Sequence, residues 1–100
     1  MLASEPVRGG YYAAMDAETV RSKILVIDDE LGVRESMRYL FKNDYDVLLA
    51  DSVDKGISLL KDARPDAIVM DIRMPEKTGI EGLREIRAID GEIAVVMLTG

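Results

Sequence analysis

Four short apolar runs divide the chain from Lys23 onward. They are Ile24 to Ile27, Tyr45 to Ala50, Ala67 to Met70 and Ile93 to Thr99. Each run is apolar without strict alternation, which is typical of strands that are buried on both faces. Because stretches of helical periodicity separate them, the pattern predicts repeated βα units. Such units form a parallel sheet with helices on both sides.

The three intervening stretches carry apolar residues at helical spacing. The first helix is expected over residues 30–42, and Ser52 and Thr78 can cap the second and third. Arg64 precedes Pro65, and a residue in that position is pushed out of the helical region, so the second helix should end there. The predicted inward faces are Val33, Met37, Leu40 and Phe41, then Val53, Ile57 and Leu60, then Ile80, Leu83 and Ile86.

Residues 1–21 lack this regular pattern and are predicted to be an N-terminal extension to a domain over residues 22–100. The segment SEPVRGG is turn-like, and YYAAMDAETVRS has only weak periodicity. Two interpretations stay open: a disordered or tag-derived lead-in, and a docking segment. Neither assigns a function to the extension.

Composition narrows the available chemistry. The 100 residues include no cysteine and no histidine, which excludes disulfides, thiolate catalysis, cysteine-based zinc sites and a phosphohistidine. Oxygen ligands remain for a metal, and these suit Mg2+ or Ca2+. The formal net charge of −6 argues against direct binding of nucleic acid or anionic membrane by this chain. Without an apolar run of roughly 20 residues, a cytoplasmic protein is expected.

Three aspartates follow two of the apolar runs directly. Asp28 and Asp29 end the first run, and Asp71 ends the third. Ligands of open parallel sheets bind beyond the carboxyl ends of the strands. If the two strands are neighbours, about 4.8 Å apart, the carboxylates converge, with the hydroxyl of Thr99 on the same rim.

When carboxylates lie this close together, either the pKa of one of them rises or a cation binds among them. Mg2+ suits such a cluster because it binds one or two carboxylates, keeps several waters and accepts a phosphate oxygen. A further carboxylate could then attack a phosphoryl group and form an aspartyl phosphate. A simpler interpretation of Asp29 or Glu30 is a helix N-cap. Asp71 is followed by the loop sequence IRMP, where no helix needs a cap.

The motifs ILVIDDE, DAIVMDIRMPEKTGIEGL and VVMLTG occur in this order. Together they resemble the receiver domain of bacterial two-component response regulators, over about residues 23–100. The resemblance implies an α/β fold with a doubly wound, flavodoxin-like parallel sheet. It also implies a Mg2+-dependent switch that takes its phosphoryl group from a sensor histidine kinase or phosphotransfer protein and controls a transcription output.

The resemblance also implies roles for individual residues. Asp71 matches the phosphoacceptor, which also contacts the metal, and Asp28 and Asp29 match the acidic pair that holds Mg2+. The backbone carbonyl of Arg73 matches the remaining protein ligand of the metal. Thr99 matches the switch hydroxyl that responds to the phosphoryl group.

The chain departs from the family pattern after Thr99. Family members continue with a fourth helix, a fifth strand and a fifth helix, and that strand carries a lysine that contacts the phosphoryl group. Lys77 is a weak candidate for its replacement. The fourth strand is therefore expected to be an apolar edge that favours self-association, because exposed strand edges pair with other chains.

Two other functions stay open. An aspartate-nucleophile phosphohydrolase also uses Mg2+, but it places a second aspartate two residues after the nucleophile, whereas Asp28 and Asp29 are adjacent. The other is a protein-interaction module that keeps only the fold. It would explain why the family's lysine on the fifth strand has no counterpart here, but it would not explain the three aspartates.

Overall fold

The computed structural model describes residues 21–99, which form four strands and three helices in strict alternation. The order is β1 (Lys23–Ile27), α1 (Leu31–Phe41), β2 (Asp46–Ala50), α2 (Val53–Ala63), β3 (Ala67–Asp71), α3 (Gly79–Ile89) and β4 (Ala94–Leu98). The predicted alternation is confirmed. Most of the predicted N-terminal extension, residues 1–20, and Gly100 lie outside the described residues.

The four strands form one parallel sheet in the order β2-β1-β3-β4. Ile27 at the end of β1 is level with Ala50 of β2 on one side and Met70 of β3 on the other. Met70 is in turn level with Met97 of β4. The carboxyl ends of all four strands therefore lie along one edge of the sheet.

Apolar side chains cover both faces of the sheet. One face packs against α2 and α3, with Leu25, Ile27, Ile68 and Met70 fully buried there. The other face carries the smaller cluster of Ile24, Val26 and Val69, against which α1 packs. The doubly wound arrangement is thus confirmed. In the described range each helix has 11 residues, and none is long and apolar enough to cross a membrane.

The predicted helix boundaries have the expected local structure. The Ser52 side chain accepts a hydrogen bond from the backbone N–H of Lys55. Thr78 and Glu81 form a reciprocal capping box at the start of α3. Arg64 ends α2 in the left-handed conformation, with φ of 52°. These contacts satisfy backbone groups that a helix end leaves unpaired.

Two residues predicted to face inward are exposed instead. Leu40 of α1 is 66% exposed, and Ile80 of α3 is 46% exposed. In α3 the buried face is formed by Gly79, Gly82 and Ile86, so Ile80 lies one position round the helix. The sequence-based prediction gave weight to large apolar residues, whereas two of the three residues that α3 buries are glycines.

The fourth strand pairs only with β3 among residues 21–99, so it is an edge strand, as expected. Val96 at its centre is 55% exposed. Ile93, predicted to be the first residue of this strand, precedes it and is buried in the core. The apolar residues of the predicted strand therefore differ in exposure, with Ile93 in the core and Val96 largely exposed.

Two helical glycines provide a test of the packing of α2. A Cβ on Gly56 would overlap the side chain of Ile27, which is fully buried, whereas a Cβ on Gly32 of α1 meets nothing within 4 Å. We expect Gly56→Ala to lower the free energy of unfolding by roughly 1–3 kcal/mol through overpacking. Gly32→Ala should raise it by about 0.5–1 kcal/mol through helix propensity. Urea denaturation measures both, and equal shifts would contradict the packing described for Gly56.

Candidate metal centre

The register of β1 and β3 brings the three predicted aspartates together. Because Ile27 is level with Met70, Asp28 and Asp71 leave adjacent strands side by side. One carboxylate oxygen from each of Asp28, Asp29 and Asp71 lies within 4.8 Å of the others. The structure therefore places these residues in one cluster at the carboxyl edge of the sheet.

Asp28 and Asp71 each form a turn of the same kind, in which the side chain accepts a hydrogen bond from the backbone N–H two residues later. The Oδ1 atom of Asp28 accepts a hydrogen bond from the backbone N–H of Glu30 at 2.9 Å. The Oδ1 atom of Asp71 accepts one from the N–H of Arg73 at 3.1 Å. Each turn fixes one carboxylate oxygen and leaves the other without a hydrogen bond to any residue that the structure describes. These second oxygens can serve as ligands.

The helix-capping interpretation is not supported. Glu30 occupies the N-cap position of α1, but its side chain makes no capping hydrogen bond. Asp71 is separated from α3 by the loop 72–78, where Thr78 provides the cap. The carboxylate of Asp29 is exposed and has no side-chain hydrogen bond within the part of the chain that the structure describes.

Burial and like charge act together on Asp28. This residue is only 3% exposed, and burial raises the pKa of its carboxyl above the usual value of 3.8. The charges of Asp71 and Asp29 raise this pKa further, while the Glu30 N–H and the Arg34 guanidinium oppose the shift. Carboxylate oxygens are the ligands that Mg2+ and Ca2+ prefer, and a divalent ion would relieve the repulsion. The residues therefore fit a hard divalent cation.

Arg73 and Thr99 lie beyond the carboxyl ends of β3 and β4. The backbone of Arg73 is oriented by its hydrogen bond to Asp71. Thr99 directly follows β4 and is exposed. The N–H of Ile72 donates to the carbonyl of Leu98 at 3.1 Å, which joins the loop after Asp71 to the end of β4. Arg73 and Thr99 therefore both follow strands at the carboxyl edge of the sheet, and their predicted roles stay predictions.

Two residues after Asp71, Lys77 and Gly79, make contacts that were not predicted from the sequence. The ammonium of Lys77 contacts Asp54 and Glu85, each at 2.8 Å, and these hydrogen bonds raise the pKa of Lys77. Lys77 thus links the loop to α2 and α3, an arrangement that does not favour a role at the phosphoryl group.

Gly79 lies so close to the backbone of Asp71 and Ile72 that a Cβ would overlap both. The position of Gly79 eight residues after Asp71 was the only sequence signal for this approach.

A four-stranded parallel sheet with three aspartates at its carboxyl edge defines an α/β domain with a candidate metal centre, and comparison with known proteins identifies the family. Residues 24–100 match the response regulator receiver domain family. The chain therefore belongs to that family. It is 40% identical over 78 residues to the response regulator MprA of Mycobacterium sp. (strain KMS), and 38% identical to MprA of Mycobacterium avium (strain 104). The matches cover 77% of this chain but only 34% of those relatives.

Solved structures of receiver-domain proteins are also similar to this chain. A receiver domain protein from Clostridium thermocellum is similar with a TM-score of 0.74 and 36% identity, over 79% of this chain and 65% of that one. The chemotaxis protein CheY4 of Vibrio cholerae has a TM-score of 0.75 and 26% identity, over 78% and 68% of the two chains. The chain thus shares the flavodoxin-like receiver fold.

The raised pKa of Asp28 leads to a prediction about stability without metal. We expect Asp28→Asn to raise the free energy of unfolding at pH 7 by on the order of 1 kcal/mol. The amide removes the buried charge but keeps an oxygen for the Glu30 N–H. Because the folded-state pKa is above the unfolded value of 3.8, Asp28 destabilises the wild type increasingly as pH rises through that window. Urea denaturation from pH 3.5 to 8 should show the gain smallest at low pH.

Asp51 provides a control of opposite sign. It accepts a hydrogen bond from the Lys55 ammonium, which lowers the pKa of Asp51. Asp51→Asn should therefore destabilise the protein at pH 7, with the effect lost as pH falls through the lowered pKa. If Asp28→Asn also destabilised the metal-free protein at pH 7, the electrostatic account of the cluster would be wrong.

Proposed function

We propose that this chain is a Mg2+-dependent phosphoacceptor that receives a phosphoryl group on Asp71 from a sensor histidine kinase or phosphotransfer protein. The observation that carries the proposal is the convergence of Asp28, Asp29 and Asp71 within 4.8 Å. Membership of the receiver family supports it. The domain acts as a signalling switch rather than as an enzyme with turnover.

The proposed chemistry assigns metal binding to all three acids and phosphoryl acceptance to Asp71 alone. Asp28 and Asp29 hold the metal, with Asp71 and the backbone carbonyl of Arg73 completing the protein ligands. A bound Mg2+ would neutralise charge on the cluster and on the transferred phosphoryl group. A carboxylate oxygen of Asp71 attacks phosphorus, the bond from phosphorus to the donor's histidine nitrogen breaks, and that nitrogen keeps the electron pair.

The proposal assigns the response to Thr99. Its hydroxyl is exposed at the end of β4, next to the loop that follows Asp71. A phosphoryl group on Asp71 offers acceptor oxygens, and a hydroxyl can donate a hydrogen bond to one of them. Movement of Thr99 would carry the change to the exposed edge strand β4.

The proposed setting is a cytoplasmic two-component system. The similarity to a response regulator supports this setting, and the proposed transcription output would reside outside these 100 residues. The net charge of −6 makes direct nucleic-acid binding by these residues unfavourable. The partner kinase would supply the histidine that this chain lacks.

The proposal predicts that Asp71 is the only acceptor for small phosphoryl donors. With Mg2+ and acetyl phosphate, the wild-type chain should gain one phosphoryl group by intact-mass spectrometry, and Asp71→Asn should gain none. Asp62→Asn is the matched control, since Asp62 is an exposed aspartate on α2 and should leave the adduct unchanged. An adduct that persists in Asp71→Asn, or steady release of phosphate from a phosphate ester, would contradict the proposal.

We also propose that β4 mediates self-association of the 100-residue chain. Within the described range its outer edge has no partner strand, and Val96 and Leu98 lie on the sheet face that only α1 covers in part. A parallel strand with free N–H and C=O groups is a template for a strand of a second copy.

Sedimentation velocity tests this association. At tens of micromolar we expect wild-type chains to sediment faster than a monomer, and Val96→Lys to shift the distribution toward monomer because a charge on an edge strand opposes pairing. Ala88→Lys, on the exposed surface of α3, should have no effect. A wild-type chain that remains a monomer with a sharp thermal transition would overturn the proposal.

A further inference from the structure

Arg34 makes an unusual contact at the base of the acidic cluster. Its Nη1 atom donates a hydrogen bond of 2.8 Å to the backbone carbonyl of Asp28. The side chain starts from the first turns of α1 and reaches back to the end of β1. The contact is partly buried, so it is shielded from water more than an ordinary surface contact.

This contact completes a set of restraints around Asp28. The N–H of Asp28 donates to the carbonyl of Ala50 on β2 at 3.0 Å, and its Oδ1 atom accepts from the N–H of Glu30. Arg34 binds the remaining backbone group, the carbonyl. Asp28 is therefore held by its N–H, its side chain and its carbonyl at the same time.

The restraints matter most for Asp29. This residue follows the carbonyl held by Arg34 and precedes the N–H held by Asp28. Its own carboxylate is exposed and has no side-chain hydrogen bond to another described residue. The backbone of residues 28–30 thus sets the position and direction of the Cα–Cβ bond from which this carboxylate extends. No side-chain cap at Glu30 fixes the start of α1 in place of Arg34.

We propose that Arg34 is a positioning residue for metal binding: by holding the carbonyl of Asp28, it directs Asp29 toward Asp28 and Asp71. The inference rests on the proposed function, since it assigns a determinant of affinity to the same metal centre. Substitution of residues that orient metal ligands typically lowers metal affinity by about 10–100-fold.

The sign of the effect separates this role from simple electrostatics. Arg34 carries a positive charge near the cluster, so its charge alone would repel a divalent cation. If Arg34 acted only through its charge, removing it would strengthen Mg2+ binding. If it acts by positioning Asp29, removing it weakens Mg2+ binding despite the more negative site.

Isothermal titration calorimetry of the full chain with MgCl2 tests the inference. We expect Arg34→Met to raise the dissociation constant for Mg2+ by about 10-fold. Arg38→Met is the matched control: it removes the same charge one turn further along α1, where Arg38 contacts Glu35 rather than the site. It should leave the affinity unchanged or slightly stronger.

The outcomes are distinguishable from a failure of the proposed function. No binding by the wild type would refute the metal centre itself. Binding by the wild type with equal or tighter binding by Arg34→Met would overturn the positioning role alone. Circular dichroism shows whether each variant is folded at the temperature of the titration. Should Arg34→Met not fold there, Arg34→Gln, which is also neutral and cannot reach the carbonyl as Arg34 does, replaces it with the same expectation.

Discussion

The structure depends on the register between β1 and β3. Ile27 pairs with Met70, and this alignment places the aspartates after both residues at the same level of the sheet. Negative charges at this separation repel one another, and burial of Asp28 increases the cost. The fold therefore holds an arrangement of charges that is unfavourable by itself and that a divalent cation would stabilise. Shifting the register by one residue would turn the apolar residues of β3 to the opposite face, so the core fixes the site.

Several contacts restrain the backbone on both sides of the three aspartates. Met74 anchors the loop after Asp71 in the core, and Lys77 links that loop to Asp54 and Glu85. Gly79 lets α3 begin against the backbone of Asp71. On the other side, Arg34 holds the end of β1. The acids are thus presented by backbone that is restrained on both strands, which is the preorganisation that a metal centre requires.

Much of the fold was predictable because its signals are local. The apolar runs, the caps at Ser52 and Thr78, and the termination at Arg64 depend on neighbours within a few residues. The errors at Leu40 and Ile80 have a common cause. Periodicity identifies an apolar stripe but does not show which side of the stripe touches the sheet, and in α3 the contact is made by glycines. Close packing rewards small residues that hydrophobicity alone does not identify.

The sequence by itself determined the alternating α/β order, the parallel sheet and the identity of the three aspartates. These follow from residue type and position along the chain. Only the tertiary structure decided that their oxygens lie within 4.8 Å, that Lys77 is bound between two helices, and that Arg34 reaches the carbonyl of Asp28. The physical reason is that hydrogen bonds and ion pairs of long side chains depend on distances between elements. Periodicity fixes which residues form an element, whereas packing of the elements fixes those distances.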